Sequence, residues 1–416
     1  MWELIRANKR NSIILMTVMA AVLLLLGSII GLAIAGPDGG FFGLAVALVV
    51  WLMLTLISLS SGDQIFLAAS HAKPVTQDVH PRLFNVVEEM TIAAGLGKMP
   101  KIYIINDPAP NAFATGRNPQ NASVAVTAGL LASLNRDELQ GVIAHEISHV
   151  IHRDILFVTL AGVMLGSIVL LSQIFLRGMF YSSRGSSSRR YSSGGKGGGQ
   201  AQLVLLLIAV LAAILAPIMA QLLYFALSRK REYLADAGAA RLTRYPEGLA
   251  SALEKIANDP SPQLAYANKA SAPMYIVNPF KKRGRRTLAD LTSTHPPISE
   301  RIRILRNMTH GASFSDYSEA FAGVTKRKSV VPPSVLKKDL VLLRTGQSDA
   351  TRQPPVERQT KQIGDIMRAV NGFLFLTCPC TLKLKIPPNY KKNTVKCPRC
   401  HRTLDLSTKK PAESSS

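Results

Sequence analysis

The stretch GVIAHEISHVIHRDILFVTLAG, Gly141–Gly162, changes character at its midpoint. Its first half carries three histidines and a glutamate, and its second half is almost unbroken hydrocarbon. His145-Glu146-Ile147-Ser148-His149 has the spacing H-E-x-x-H. On a helix, at about 100° per residue, His145 and His149 lie about 40° apart and face the same way. Two imidazoles one turn apart can hold one zinc ion, with a glutamate beside the metal-bound water. Asn135, with Glu138 three residues on, makes a capping-box start for that helix, and Leu139, Val142, Ile143 and Val150 form an apolar stripe along it. Glu146 falls inside the stripe. A carboxylate aimed at a core is costly without partners. Burial also raises its pKa, which suits a general base working near neutrality. The competing reading is a chance match on an ordinary helix, and the misplaced Glu146 counts against it. His152 stands about 60° from His149, near the same face, and is not counted as a ligand.

The hydrocarbon half belongs to one of four long apolar runs: Ile13 to Ala35, Phe41 to Ser60, Ile155 to Leu176 and Leu203 to Leu227. Each meets the roughly 20 residues a helix needs to cross about 30 Å of hydrocarbon. Hydrophobic residues make up 47% of the 416-residue chain, and their clustering into these runs points away from a large soluble enzyme. Buried core helices are the alternative, which four charge-free runs of this length disfavour. The first run could also be read as a signal peptide ending at Ala33-Ile34-Ala35, but it exceeds the roughly 7–15 apolar residues of such a segment and reads as an uncleaved anchor. Arg6, Lys9 and Arg10 place the N-terminus in the cytosol, and Arg229, Lys230 and Arg231 after the fourth run place that flank there too. The loop between runs three and four, with Arg177, Arg184, Arg189, Arg190 and Lys196, disagrees with its expected outside position. Either it is tolerated there or the last two runs form a hairpin that does not fully cross. Both readings leave the two flanks on one side.

Zinc in a catalytic site needs a third protein ligand. Just past the fourth run, Glu232 and Asp236 stand one helical turn apart in REYLAD. Glu232 is the candidate third ligand, and Asp236 would accept a hydrogen bond from a ligand histidine. Taken alone, the pair reads as a solvated acidic pair among basic residues. Its place on the same membrane face as His145 changes that reading.

The chain resembles the HtpX family of membrane zinc endopeptidases and, more distantly, the CAAX prenyl proteases. The matching pieces are NAFATG (Asn111–Gly116), HEISHVIHRD (His145–Asp154), SRKREYLADAGAARLT (Ser228–Thr243), MYIVNP (Met274–Pro279) and THPPISERIRIL (Thr294–Leu305). They follow in order over residues 1 to about 310, with the apolar runs in the family's positions. The resemblance implies a gluzincin-like α+β metalloprotease domain in a mainly α integral membrane protein. It implies that His145, His149 and Glu232 are zinc ligands and that Glu146 is the catalytic glutamate. Asp236 and Asp154 match its supporting acidic positions. His295 and Arg301 match its H-P-P…R motif, where a basic side chain near zinc steadies the oxyanion. The segment from Ala114 to Thr127, centred on Ala122, Ser123, Val124 and Ala125, is similar to its edge strand, which pairs with extended substrate. Quality control of membrane proteins in a bacterial inner membrane, with the active site on the cytoplasmic side, is the implied role. The substrates would be membrane or unfolded proteins.

The expected organisation is a transmembrane hairpin over 1–61, a first protease half over 62–153, a second hairpin over 154–227 and a second protease half over 228–325. A basic linker over 326–364 and a zinc-ribbon-like module over 365–408 follow. The four hydrophobic helices are counted in the two hairpins. KIYII (Lys101–Ile105) and SVAVT (Ser123–Thr127) read as strands and the rest mainly as helix. All four cysteines lie late in the chain, so no disulfide framework spans it. Cys378, Cys380, Cys397 and Cys400 are read as ligands of a second, structural zinc, with the C-x-C pair one residue short of the usual spacing and His401 as a possible substitute. Redox thiols are the alternative, and a disulfide is disfavoured in the cytosol. The net charge of +23 favours acidic partners. The basic segments, Lys281–Arg286 among them, are read as meeting anionic lipid, with nucleic acid the less favoured partner. The rival functions are a non-enzymatic zinc-ribbon scaffold and a prenyl-protein-type processing protease. The second would need a large intramembrane chamber, and four apolar runs are few to enclose one.

Overall fold

The computed structural model describes residues 2–185, 198–261, 264–265, 274–279, 295–329, 331, 333, 336, 341–346 and 356–406. The basic cluster at 281–286 and much of the expected linker lie outside the described residues. The chain opens with α1 (Trp2–Ala69), which is not straight. Ala35 and Gly36 leave helical geometry, and Gly36 takes φ +72°, a conformation open to glycine at no steric cost. The two limbs then run back along each other. A Cβ on Gly31 would sit 2.1 Å from the Gly39 carbonyl oxygen, and one on Gly27 would sit 2.8 Å from that of Gly43. Small residues four apart allow this backbone contact, as in packed membrane helices. The first two apolar runs, expected as separate helices joined by a five-residue loop, thus lie one on each limb, with the reversal at Ala35 and Gly36 rather than across an extended loop. Among the described residues three helices are long and apolar enough to cross a membrane, over Ile13–Ile57, Ile155–Met179 and Leu203–Gln221.

Helices α5 (Ile155–Gly185) and α6 (Gly198–Thr243) pack against α1. Their shared core joins Leu15, Met19, Leu23 and Leu26 to Phe157, Met164 and Ile168, with Ala161, Ala209, Ala213 and Ala220 buried between the helices. Small residues at these positions bring the backbones close enough to gain dispersion contact.

A second core belongs to the domain above this bundle. It contains α2 (Pro81–Ala93), α3 (Ala128–Ser133), α4 (Arg136–Ile151), α7 (Pro246–Asn258), α8 (Ile298–Arg306) and α9 (Phe314–Thr325). The sheet is made of β1 (Lys73–Pro74), β2 (Lys101–Ile105), β3 (Ala112–Gly116) and β4 (Ala122–Thr127), in the order β1-β2-β4-β3. β2 and β4 are parallel, and β3 runs antiparallel to β4 in a register that sets Ala112 opposite Val126 and Gly116 opposite Ala122. The capping box is present: the Glu138 amide donates to Asn135 Oδ1 at 2.9 Å and the Asn135 amide to Glu138 Oε2 at 2.8 Å. Glu138 also accepts from Ser251 and Lys255 on α7, so the start of α4 is tied to the second half of the domain.

Two expected boundaries move. α1 continues to Ala69, past the expected limit at 61. The expected linker is partly docked: at 341–346, Arg344 donates to Asp137, Gln140 and the Thr243 carbonyl, clasping α4 to the end of α6. Helix α10 (Val356–Val370) straddles the expected boundary at 364 because its apolar face, with Met367 buried, packs into the domain core. The terminal module consists of two hairpins, β5 (Leu374–Thr377) with β6 (Lys383–Ile386) and β7 (Thr394–Lys396) with β8 (Thr403–Asp405).

Gly31→Ala should destabilise the bundle by about 1–3 kcal/mol, the usual cost of overpacking. Gly166→Ala on α5, where a Cβ would meet nothing within 4 Å, should be neutral or stabilising by up to about 1 kcal/mol. Thermal melts of the purified variants in detergent compare the two.

Candidate active site

Helix α4 is laid against α6, and the contact is tight: a Cβ on Gly238 would fall 2.5 Å from Ser148 Oγ. The pairing brings His145, His149 and Glu232 together. His145 Nε2 lies 3.3 Å from His149 Nε2 and 3.7 Å from Glu232 Oε2, and His149 Nε2 lies 3.6 Å from Glu232 Oε1. A tetrahedral zinc with bonds of about 2.0–2.1 Å separates its ligands by about 3.3–3.4 Å, so these donor atoms fit the ion. The chemistry fits too, since two imidazoles and one carboxylate make up a known catalytic zinc set.

Each histidine is backed by a carboxylate. His145 Nδ1 is 3.0 Å from Asp236 Oδ1, and His149 Nδ1 is 3.0 Å from Asp154 Oδ2. Such partners hold the proton on Nδ1 and turn the Nε2 lone pair toward the shared centre. Asp236 is gripped in turn by the fully buried Arg301, whose Nε and terminal nitrogen donate to its two oxygens at 2.8 and 2.7 Å. A further Arg301 nitrogen donates to the Ile276 carbonyl at 2.9 Å and lies 3.5 Å from Glu232. His295, just before the two prolines that lead into α8, sets its Nδ1 3.1 Å from Glu232 Oε2. His152 is buried but is not among the converging donor atoms.

The electrostatics separate the roles. Burial pushes the Glu146 carboxyl up to about 8, and Glu232 adds to the push. Neither Glu146 oxygen has a well-formed hydrogen bond, and the Ala114 backbone on β3 gives only partial relief. Burial would also raise Glu232, but His295, Arg301 and His149 outweigh it and hold the carboxyl well below its usual range. Burial lowers His145 despite Asp236, which keeps the ring neutral. For His149 burial is outweighed by Asp154, Glu232 and Glu146, and the ring is lifted to about 9. The field at this nitrogen therefore favours a positive charge.

The expected edge strand is corrected. Ala122, Ser123, Val124 and Ala125 lie in β4, which is paired on both sides, with β2 and with β3, and wholly buried. The strand beside Glu146 is β3. Its outer side is itself partly covered. The Ile276 amide donates to the Ala112 carbonyl at 2.9 Å, Phe113 pairs with Tyr275, and Asn111 Nδ2 donates to the Val277 carbonyl at 2.9 Å. Uncovering buried Tyr275 and Ile276 would cost about 1.5–3 kcal/mol per side chain. Two or three substrate hydrogen bonds return only about 0.5–1.5 kcal/mol each. The 274–278 segment is thus a fixed wall, and among the described residues no strand pairs with the outer side of β3 beyond Ala114. This segment and Arg231, which stacks on Phe157 at 4.2 Å beside the site, escaped the reading of roles from sequence. Adjacency of Arg231 to Glu232 was the available signal.

In the terminal module the four cysteine sulfurs all lie within 4.8 Å of one another, with Cys378–Cys400 at 3.4 Å and Cys380–Cys397 at 3.5 Å. Thr381 and His401, each just after the second cysteine of its pair, adopt positive φ and turn the chain back on itself. The C-x-C pair converges by this turn despite its shorter spacing.

Asp154→Asn should lower zinc affinity by about 10–100-fold with little change in stability. Asp236→Asn should do the same and also cost about 3–5 kcal/mol, because it strands a buried guanidinium. Chelator competition and denaturant melts separate the two effects.

A family model described as Peptidase family M48 matches residues 78–309. Among curated proteins, a "Protease HtpX homolog" of Dictyoglomus thermophilum is 46% identical over 307 residues, covering 74% of this chain and 94% of that protein. Proteins of the same description from Caldanaerobacter subterraneus and Streptococcus gordonii are 41% and 39% identical, again over 74% of this chain and over 98% and 100% of their own lengths. A solved structure, that of S. mikatae Ste24p, aligns with TM-score 0.36 and 20% identity over 73% of this chain and 67% of that one, a likeness too loose to carry an argument. With the family model spanning the donor residues and the identity running nearly end to end through the HtpX homologues, the chain belongs to peptidase family M48.

Proposed function

We propose that the protein is a zinc-dependent endopeptidase embedded in a membrane, acting on membrane or unfolded proteins in quality control. The observation that carries this reading is the triangle of His145, His149 and Glu232 donors with the buried, unsatisfied Glu146 beside it. A zinc ion held by these three residues would supply Lewis-acid activation of a water and of the scissile carbonyl.

The chain's own residues do the rest. A Glu146 oxygen takes the proton of the attacking water and delivers it to the nitrogen of the leaving amine. A carboxyl pushed up by burial is suited to hold a proton between those two transfers. His295 donates to the oxygen that gains charge as the carbonyl is attacked, a contact worth about 2.7–4 kcal/mol per donor. Asp154 and Asp236 keep the ligand rings oriented, and Arg301 keeps Asp236 in place. Extended substrate pairs with the outer side of β3 beside Glu146.

The apolar limbs of α1 and the α5–α6 hairpin suit a multi-pass anchor, and the lysines and arginines flanking them favour a cytoplasmic site in a bacterial inner membrane. The Cys378, Cys380, Cys397 and Cys400 sulfurs suit a second, structural zinc. The basic segments suit an anionic leaflet.

Glu146→Gln should retain zinc at the catalytic site and lose casein cleavage by several orders of magnitude. Full-rate cleavage by the purified variant would sink the mechanism. Cys397→Ser together with Cys400→Ser, which leaves the docked 341–346 segment and α10 in place, should take the bound zinc from two ions to one. An unchanged single zinc, measured by mass spectrometry of metals, would remove the ribbon from the account.

A further inference from the structure

The contact between α6 and α8 carries a second polar link beside the Arg301–Asp236 pair. Tyr233, the residue after Glu232, donates its hydroxyl to Glu300 Oε1 in the first turn of α8. The Tyr233 ring is buried and meets Phe321 of α9 edge-on, with centroids 4.9 Å apart. Glu300 is only half-buried, and neither residue is among the converging donors.

At about 100° per residue, Glu300 and Arg301 point about 100° apart around α8, and Tyr233 and Asp236 about 60° apart around α6. The two links therefore grip α8 at two angles. The Arg301–Asp236 pair alone would let α8 roll about a single contact. The buried Ile298, Ile304 and Leu305 hold the helix down, but apolar packing has no direction of its own and resists a roll less well. The Tyr233–Glu300 link opposes it. That matters because His295 is carried by the same turn. The Glu300 and Arg301 amides both donate to the Pro297 carbonyl, at 2.9 and 3.1 Å. Pro296 and Pro297 have φ fixed by their rings, so His295 follows the start of α8. A displacement of about 1 Å at a group acting on the reacting atoms can cost about 100-fold in rate.

We propose that Tyr233 is a positioning residue for His295. Through Glu300 it fixes the roll of α8, and with it the placement of the imidazole that steadies the oxyanion. The proposal rests on the peptidase reading above and on the role given there to His295. Tyr233→Phe removes only the hydroxyl and keeps the ring on Phe321. Glu300→Gln keeps an acceptor oxygen for the hydroxyl, and Glu300→Ala does not.

The test is kinetics of the full-length zinc-loaded protein on a casein-derived peptide, with zinc content and melting temperature recorded for each variant. Tyr233→Phe and Glu300→Ala should each lower kcat at least about tenfold, with KM and zinc content unchanged. Glu300→Gln should stay close to wild type. In a His295→Ala background, Tyr233→Phe should lower kcat no further. A Tyr233→Phe protein with the wild-type kcat overturns the proposal. So does one whose loss lies in KM or in bound zinc, or whose loss recurs at the same size in the His295→Ala background. A wild type that cuts no peptide fails the peptidase reading itself, and this proposal with it.

Discussion

The ion pair between Arg301 and Asp236 is the constraint on which the site depends. It is buried completely, and a buried pair of this kind contributes little net stability while being costly to break. What it does is fix positions. Arg301 comes from α8, Asp236 from α6, and the Asp236 oxygen reaches His145 on α4. The same guanidinium reaches Glu232 and the Ile276 carbonyl. Three helices and the wall of the cleft are thereby referred to one planar group. Tyr317 and Phe321 on α9 close over this region and keep water out of it.

The second feature of the design is continuity. α6 runs without a break in its helical assignment from the fourth apolar run to Glu232 and beyond, and α5 begins directly after Asp154. The bundle and the site are thus joined through α6 itself and through the short turn before α5.

Local chemistry was legible in the sequence. The H-E-x-x-H spacing, the capping box at Asn135 and Glu138, the turn separating Glu232 from Asp236, and β2 at Lys101–Ile105 all depend on residues within one turn or one strand. What was not legible depended on pairing across long stretches of chain. β4 has the alternation and the β-branched content of a strand, but nothing in Ala122–Ala125 says that β3 would cover its other side. The wall at 274–278 is built by backbone groups and by Asn111, more than 150 positions away in the chain. The clasp formed by Arg344 lay in a stretch whose composition reads as linker, because one arginine with three distant acceptors leaves no periodic trace.

The division of the donor set between α4 and α6 also has a consequence for biosynthesis. About 80 residues of chain separate His149 from Glu232, and at about 5–20 residues per second the ribosome needs on the order of 4–16 s to make them. During that interval the nascent chain carries two histidines on one helix and lacks the acid that completes the set. Arg301, which orders Asp236, arrives later still. The donor set is therefore completed only once α6 has been made and laid against α4.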